Sequence, residues 1–205
     1  MYSTKTATTN NNEFNSSYMP VGINENVTLK EVNVSKTPNG RDFLEIVFEN
    51  SEGQTATMTE WKNEKNMWIK TDEDLQNRDN QQFGRILQVL NCFHEPGTLE
   101  FEGNSFVEMI NWVKNCFNGI TPGLGNLRLK VVYDKKGYTK VSSLGVFVEP
   151  MSVETSQIKL WKNDLLERPI VADKEDDPLV AAAKEAVALN APVTEAPTGA
   201  DDLPF

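Results

Sequence analysis

Residues 27–61 read VTLKEVNVSKTPNGRDFLEIVFENSEGQTATMTEW, and the fold turns on how this stretch divides. Pro38-Asn39-Gly40 and Ser51-Glu52-Gly53 are turn signals, because Asn and Gly accept the backbone angles a tight hairpin needs. They cut the stretch into three runs. In Arg41–Glu49, Leu44, Ile46 and Phe48 share one phase and Phe43, Glu45 and Val47 the other. A period of two marks a strand, with the Leu44 phase facing the core. In Gln54–Trp61, Thr55, Thr57, Thr59 and Trp61 alternate with Ala56 and Met58, and the threonines suit a half-exposed sheet. Val27–Lys36 starts in one phase (Val27, Leu29) and ends in the other (Val32, Val34). A strand bulged near Lys30-Glu31 reconciles the two.

Downstream the period changes. Leu75, Phe83, Ile86, Leu87, Leu90 and Phe93 recur at helical spacing, which predicts one helix or a broken pair over 75–93. Pro96-Gly97 ends it. A second helix is predicted over Asn104–Asn118, capped by Asn104 or Ser105, with Phe106, Met109, Ile110, Val113 and Phe117 as its buried stripe. Thr121–Gly125 is a loop. Leu127, Leu129, Val131 and Tyr133 then alternate with Arg128, Lys130 and Val132 in a strand, Asp134-Lys135-Lys136-Gly137 turns the chain, and Tyr138–Glu149 forms the last strand. Three strands, a helical insertion at about 72–120 and two more strands predict a mainly β fold, a five-stranded Greek-key barrel of the oligonucleotide/oligosaccharide-binding (OB) type.

Outside this body the patterning fails. Residues 1–18 are rich in Thr, Asn and Ser and read as a disordered arm, so the folded domain is expected over 19–162. Residues 163–205 hold 10 Asp/Glu against 3 Lys/Arg and read as a flexible acidic tail, with at most a transient helix from Asp177-Pro178 to Leu189. The whole chain, 205 residues with a net charge of −10, is thus uneven: residues 121–162 carry 7 Lys/Arg and 3 Asp/Glu, whereas 71–120 carry 3 and 8. Such asymmetry suggests an electrostatic surface on the body and an acidic interaction segment. No apolar run approaches the ~20 residues of a membrane span. The polar N-terminus does not resemble a secretory signal, and two cysteines make no disulfide framework, so a reducing compartment is expected.

Catalytic signatures are missing from the sequence. There is one histidine, His94, and no phosphate loop or nucleophile elbow. Cys92, His94 and Cys116 match no common zinc spacing and lack a fourth ligand, so they read as small residues on helix faces, and no cofactor or metal is expected. The basic strip carries more. Arg128, Lys130, Lys135, Lys136 and Lys140, with Tyr133 and Tyr138 beside the turn, combine cations that follow a polyanion with rings on which bases stack. Trp61 lies on a polar strand face and precedes Lys62, and Phe43 is out of phase with its own core face, so both are candidate stacking platforms. Each has a plainer reading. Tyr133 is in phase with the core, the lysines blunt a hairpin edge, and Trp61 and Phe43 pack against the inserted helices. Trp68, Trp112 and Trp161 are expected to fill gaps around the insertion and the barrel end.

The C-terminal Asp201-Asp202-Leu203-Pro204-Phe205 combines two carboxylates with a rigid, aromatic end, a compact ligand for an apolar pocket rimmed by Lys or Arg. It resembles the acidic, Phe-terminated tip of bacterial single-stranded DNA-binding proteins. The body, through Leu127-Arg-Leu-Lys-Val-Val-Tyr-Asp-Lys-Lys-Gly-Tyr138 and Phe147-Val148-Glu149, resembles single-stranded DNA-binding proteins of tailed bacteriophages over roughly residues 20 to 150. The resemblance implies an OB fold that coats single-stranded DNA without sequence preference during phage replication, recombination and repair. It implies replication and repair proteins as partners at the tip, and the cytoplasm of a bacterial host as the setting. The insertion at 72–120 is larger than the bacterial arrangement, so tetramerisation is not carried over. The competing function is an OB-fold protein-interaction adaptor or nucleic-acid mimic that binds no DNA itself.

Overall fold

A computed structural model describes residues 17–95, 97–120 and 123–169. The elements follow in the order β1 (Gly22–Lys36), β2 (Asp42–Glu49), β3 (Thr55–Trp61), α1 (Asp72–Leu90), α2 (Phe106–Cys116), β4 (Leu127–Tyr133), β5 (Thr139–Val141) and β6 (Val148–Pro150). All strand pairs are antiparallel, in the order β3-β2-β1-β4-β5, with β6 also on β4.

The bulge lies where the two phases of β1 require it. Leu29 pairs with Phe48, but Glu31 pairs with Val47, so Lys30 is the extra residue and Val32 and Val34 turn back toward the core. A second irregularity between Asn24 and Val27, with Asn26 at φ 56°, lets β1 continue beyond the expected Val27 and pair with β4. One long bent strand therefore serves both halves of the sheet.

The expected closed five-stranded barrel needs correction in two respects. First, β3 and β5, at the two ends of the strand path, lie close together but share no ladder among the described residues, so the sheet is not closed. Second, the last strand is not continuous. Val131 pairs with Val141 and Leu129 with Val148, so residues 142–147 bow outward opposite Lys130. The Lys130 backbone bridges the gap, its N–H donating to Phe147 O (2.8 Å) and its carbonyl accepting from Ser142 N–H (2.9 Å).

The core is one cluster. Leu44, Ile46 and Phe48 of β2, Leu127, Leu129 and Val131 of β4, Ile86, Val89 and Leu90 of α1, and Met109, Ile110 and Val113 of α2 meet in it. The single helix α1 begins earlier than the hydrophobic stripe suggests, because Thr71 and Asp74 form a reciprocal capping box. Ser105 caps α2, its hydroxyl accepting from Glu108 N–H. An inward carboxylate fixes α1 to the sheet: Glu60 accepts from Arg85 Nε (3.0 Å) and Nη2 (2.9 Å) and from Gln82 Nε2 (2.7 Å). Trp112 fills a gap as expected, within ring contact of Phe83 and Phe101.

The body also extends past the expected boundary at 162. Asp164 is buried and Leu165 O accepts from Tyr133 N–H (2.8 Å), so residues 153–169 form a strap over the outer side of β4. The rest of the expected arm and tail, residues 1–16 and 170–205, lies outside the described residues. Among the described residues no helix is long and apolar enough to cross a membrane.

Candidate nucleic-acid interface

The strap decides which cations of the basic strip can reach a ligand. Strand alternation does put Arg128 and Lys130 opposite Leu127 and Leu129, but that outer face is covered. Lys130 is 0% exposed. Its ammonium donates to Leu144 O (2.9 Å) in the 142–147 excursion, to Lys159 O (3.0 Å) in the strap and to Asp164 Oδ2 (3.0 Å). Three donors meet three acceptors, so the side chain has no N–H left for a phosphate. Asp164 also accepts from Ser142 Oγ and Trp161 N–H. Arg128 is similarly engaged, with Glu25, Glu149 and Val153 O. Burial pushes the Glu149 carboxyl up, but hydrogen bonds from the Ser156 hydroxyl, Gln157 N–H and Arg128, with the Arg128 charge, outweigh it and hold the group below its ordinary value. The expectation that Arg128 and Lys130 line a groove is therefore corrected: both hold the strap.

The β4–β5 turn presents the remaining cations. Asp134 Oδ1 accepts from Lys136 N–H (2.8 Å) and Tyr138 N–H (2.9 Å), and Gly137 takes φ 82°, which fixes the turn. Slight burial raises the Asp134 carboxyl, but these two N–H bonds and the Lys140 and Lys136 charges prevail and hold it low. Lys135, Lys136, Tyr138 and Lys140 are exposed around it. Tyr133 keeps the core phase of Leu127 and Val131 and is half-buried.

A second patch forms at one end of the β2–β3 ladder. Phe43 is the register partner of Trp61, and their ring centroids are 4.7 Å apart at 30°. Both are half-buried on the face away from the core. The Arg41 guanidinium lies 5.2 Å from the Trp61 ring centroid and donates to Lys62 O (3.3 Å). Arg41 was missed in the sequence, although its two-residue spacing from Phe43 puts it on the same face. Lys62 is exposed and makes no side-chain contact among the described residues. The two patches sit on neighbouring strands, since β5, which carries Lys140, lies against β3, which carries Trp61. Farther along the outer face the chemistry reverses. Glu45 follows Phe43 in phase, Glu31 pairs with Val47, and Glu49 holds Lys30 at 2.7 Å.

The cysteines and the histidine form no metal-binding cluster among the described residues. Cys92 Sγ lies 3.3 Å from Gln88 O, and burial, with the nearby Glu149 charge, pushes its thiol up to about 12. His94 Nε2 lies 3.0 Å from Cys116 O. Trp68 does not fill a gap: it stands in solvent on the loop after β3. Trp161 is also exposed, with its indole close against Gly145, which has φ 63°. The tip residues Asp201, Asp202, Leu203, Pro204 and Phe205 lie outside the described residues. No protein-family model matches the chain, and no curated protein matches it.

Proposed function

We propose that this chain binds single-stranded DNA without sequence preference, on an OB-type barrel in which β3 and β5 form the seam. The observation that carries this reading is the Phe43–Trp61 pair with Arg41 beside it. Paired rings on a sheet's outer face, with a guanidinium over one of them, offer aromatic surface to any base and a cation to its phosphate. Lys62 extends that patch, and Lys135, Lys136, Lys140 and Tyr138 supply a second one on the adjacent strand. Stacking needs only the face of a base, which fits binding that ignores sequence. The resemblance to phage single-stranded DNA-binding proteins adds the biological setting: protection of single strands during phage DNA replication, recombination and repair in the host cytoplasm. In that setting Asp201–Phe205 docks on partner proteins.

The test is fluorescence anisotropy of a labelled oligo-dT against the wild type and the Phe43→Ala and Trp61→Ala variants over a salt series. Binding should weaken with salt, the plot of log K against log salt concentration falling with a slope of roughly 0.7 for each phosphate neutralised. Removing either ring should cost about 1–3 kcal/mol, the usual value of one stacked base. A wild-type protein that ignores oligo-dT in low salt, or ring variants that bind as the wild type does, defeats the reading.

A further inference from the structure

The loop between β3 and α1 presents Met67 and Trp68, which are 73% and 81% exposed. Its backbone fixes this presentation. Asn66 Oδ1 accepts from Trp68 N–H (2.8 Å) and Ile69 N–H (3.1 Å), and Asn66 N–H donates to Ile69 O (3.0 Å). Ile69 is buried, and Thr71, two residues on, caps α1. At the other end, Arg41 holds the Lys62 carbonyl. The loop is thus anchored at both sides of an indole that touches no other ring among the described residues. Lys62, Lys65 and Lys70 lie within six residues of it along the chain, as do Glu64, Asp72, Glu73 and Asp74. Lys65 pairs with Asp72 at 2.7 Å, and Asp74 accepts from the backbone N–H groups of Lys70 and Thr71.

The aromatic pair sits where this loop begins, because Trp61 ends β3. A polyanion stacked there meets carboxylates if it continues along β2 toward β1, where Glu45, Glu31 and Glu49 lie, and Lys62, next to Trp61 and unpaired among the described residues, if it leaves along the loop. We infer that it leaves along the loop, and that Trp68 receives a nucleobase beyond those held by Phe43 and Trp61, with Lys62 and Lys70 beside the connecting phosphates. The proposal rests on the single-strand reading above and lengthens that site. A preorganised indole costs little ordering entropy on binding, which favours its use as a stacking surface.

The experiment measures oligo-dT binding by anisotropy at low salt for the wild type, Trp68→Ala and Trp68→Phe. A parallel titration uses a Trp61→Phe/Trp112→Phe/Trp161→Phe variant, checked for native circular dichroism, in which Trp68 is the sole indole. Trp68→Ala should weaken binding about 5- to 150-fold, the usual worth of one stacked base expressed as a ratio. Trp68→Phe should recover most of the loss, and Trp68 emission should be quenched by oligo-dT. Urea midpoints should be unchanged, since the ring is in solvent. If the wild type binds oligo-dT and Trp68→Ala binds equally well with no quenching, the inference fails while the single-strand reading stands, and the loop serves a protein partner. If the wild type does not bind oligo-dT, both fall.

Discussion

Asp164→Ala is the sharpest test of the strap. The substitution leaves the Lys130 ammonium where it is, 0% exposed, with only the Leu144 and Lys159 carbonyls as acceptors. It also strips Ser142 Oγ and Trp161 N–H of their acceptor. Breaking one side of a buried ion pair costs about 3–5 kcal/mol, because the surviving charge is desolvated and uncompensated. That is a large part of the ~5–15 kcal/mol by which a domain is stable. At about 2–4 °C per kcal/mol for a chain of this size, Tm should fall by roughly 6–20 °C. Urea unfolding followed by tryptophan fluorescence gives the same quantity as a shift in midpoint. The double variant Lys130→Met/Asp164→Leu removes the uncompensated charge and should recover part of the loss, the rest being the cost of leaving Ser142 Oγ, Trp161 N–H and the Leu144 and Lys159 carbonyls without their partners. Below its melting range, this double variant should bind oligo-dT as the wild type does, because Lys130 touches only protein. An Asp164→Ala protein as stable as the wild type, or a double variant no better than the single one, refutes the role given to the pair. A double variant that folds but loses DNA returns Lys130 to the interface.

Three further outcomes are expected. Deleting residues 170–205, which carry 8 Asp/Glu and 2 Lys, should leave the fold intact and tighten oligo-dT binding at low salt, because a competing polyanion is gone; unchanged or weaker binding on titration counts against competition. Deleting 163–205 instead removes Asp164 and should destabilise the body much as Asp164→Ala does, as read by the urea midpoint. Glu149, whose carboxyl is held below its ordinary value in the fold, is less readily protonated folded than unfolded. Its stabilisation is therefore complete above the ordinary glutamate value and lost as pH falls through the lowered one. Glu149→Gln should flatten the acid limb of the urea midpoint plotted against pH, and an acid limb as steep as that of the wild type would contradict the assignment.

What could be read from the sequence was what short-range periodicity carries. Two phases of Val and Leu within Val27–Lys36 force a bulge, and it falls at Lys30. The stripe of α2 and its Ser105 cap likewise follow from spacing and local hydrogen-bond chemistry. The break in the last strand did not show, because Val141, Phe147 and Val148 are all apolar and all buried, and a continuous strand explains them as readily as an interrupted one. The burial of Lys130 was hidden for a longer-range reason. A lysine alternating with leucines looks solvent-facing until a partner is found, and its partner lies 34 residues on, in a segment without periodicity. Trp68 was misplaced because an indole's burial depends on tertiary surroundings. Here they come down to an Asn66 side chain that holds the loop backbone so that the ring stands clear.

The covering of β4 has a consequence for how a single strand can be held. With Arg128 and Lys130 tied to the strap, the cations of the two patches are divided between the β4–β5 turn with Lys140 and the Arg41–Lys62 end of the sheet, and carboxylates occupy the outer face beyond that end. Few phosphates can then be neutralised at once, so electrostatics supplies less of the affinity than in a continuous basic groove, and stacking on Phe43, Trp61 and Trp68 must supply more. On the proposed single-strand reading, such a division would let a body adjoining a strongly acidic segment hold a polyanion. Ring contacts do not weaken with self-charge, whereas a surface that depended on net positive potential would be defeated by its own tail.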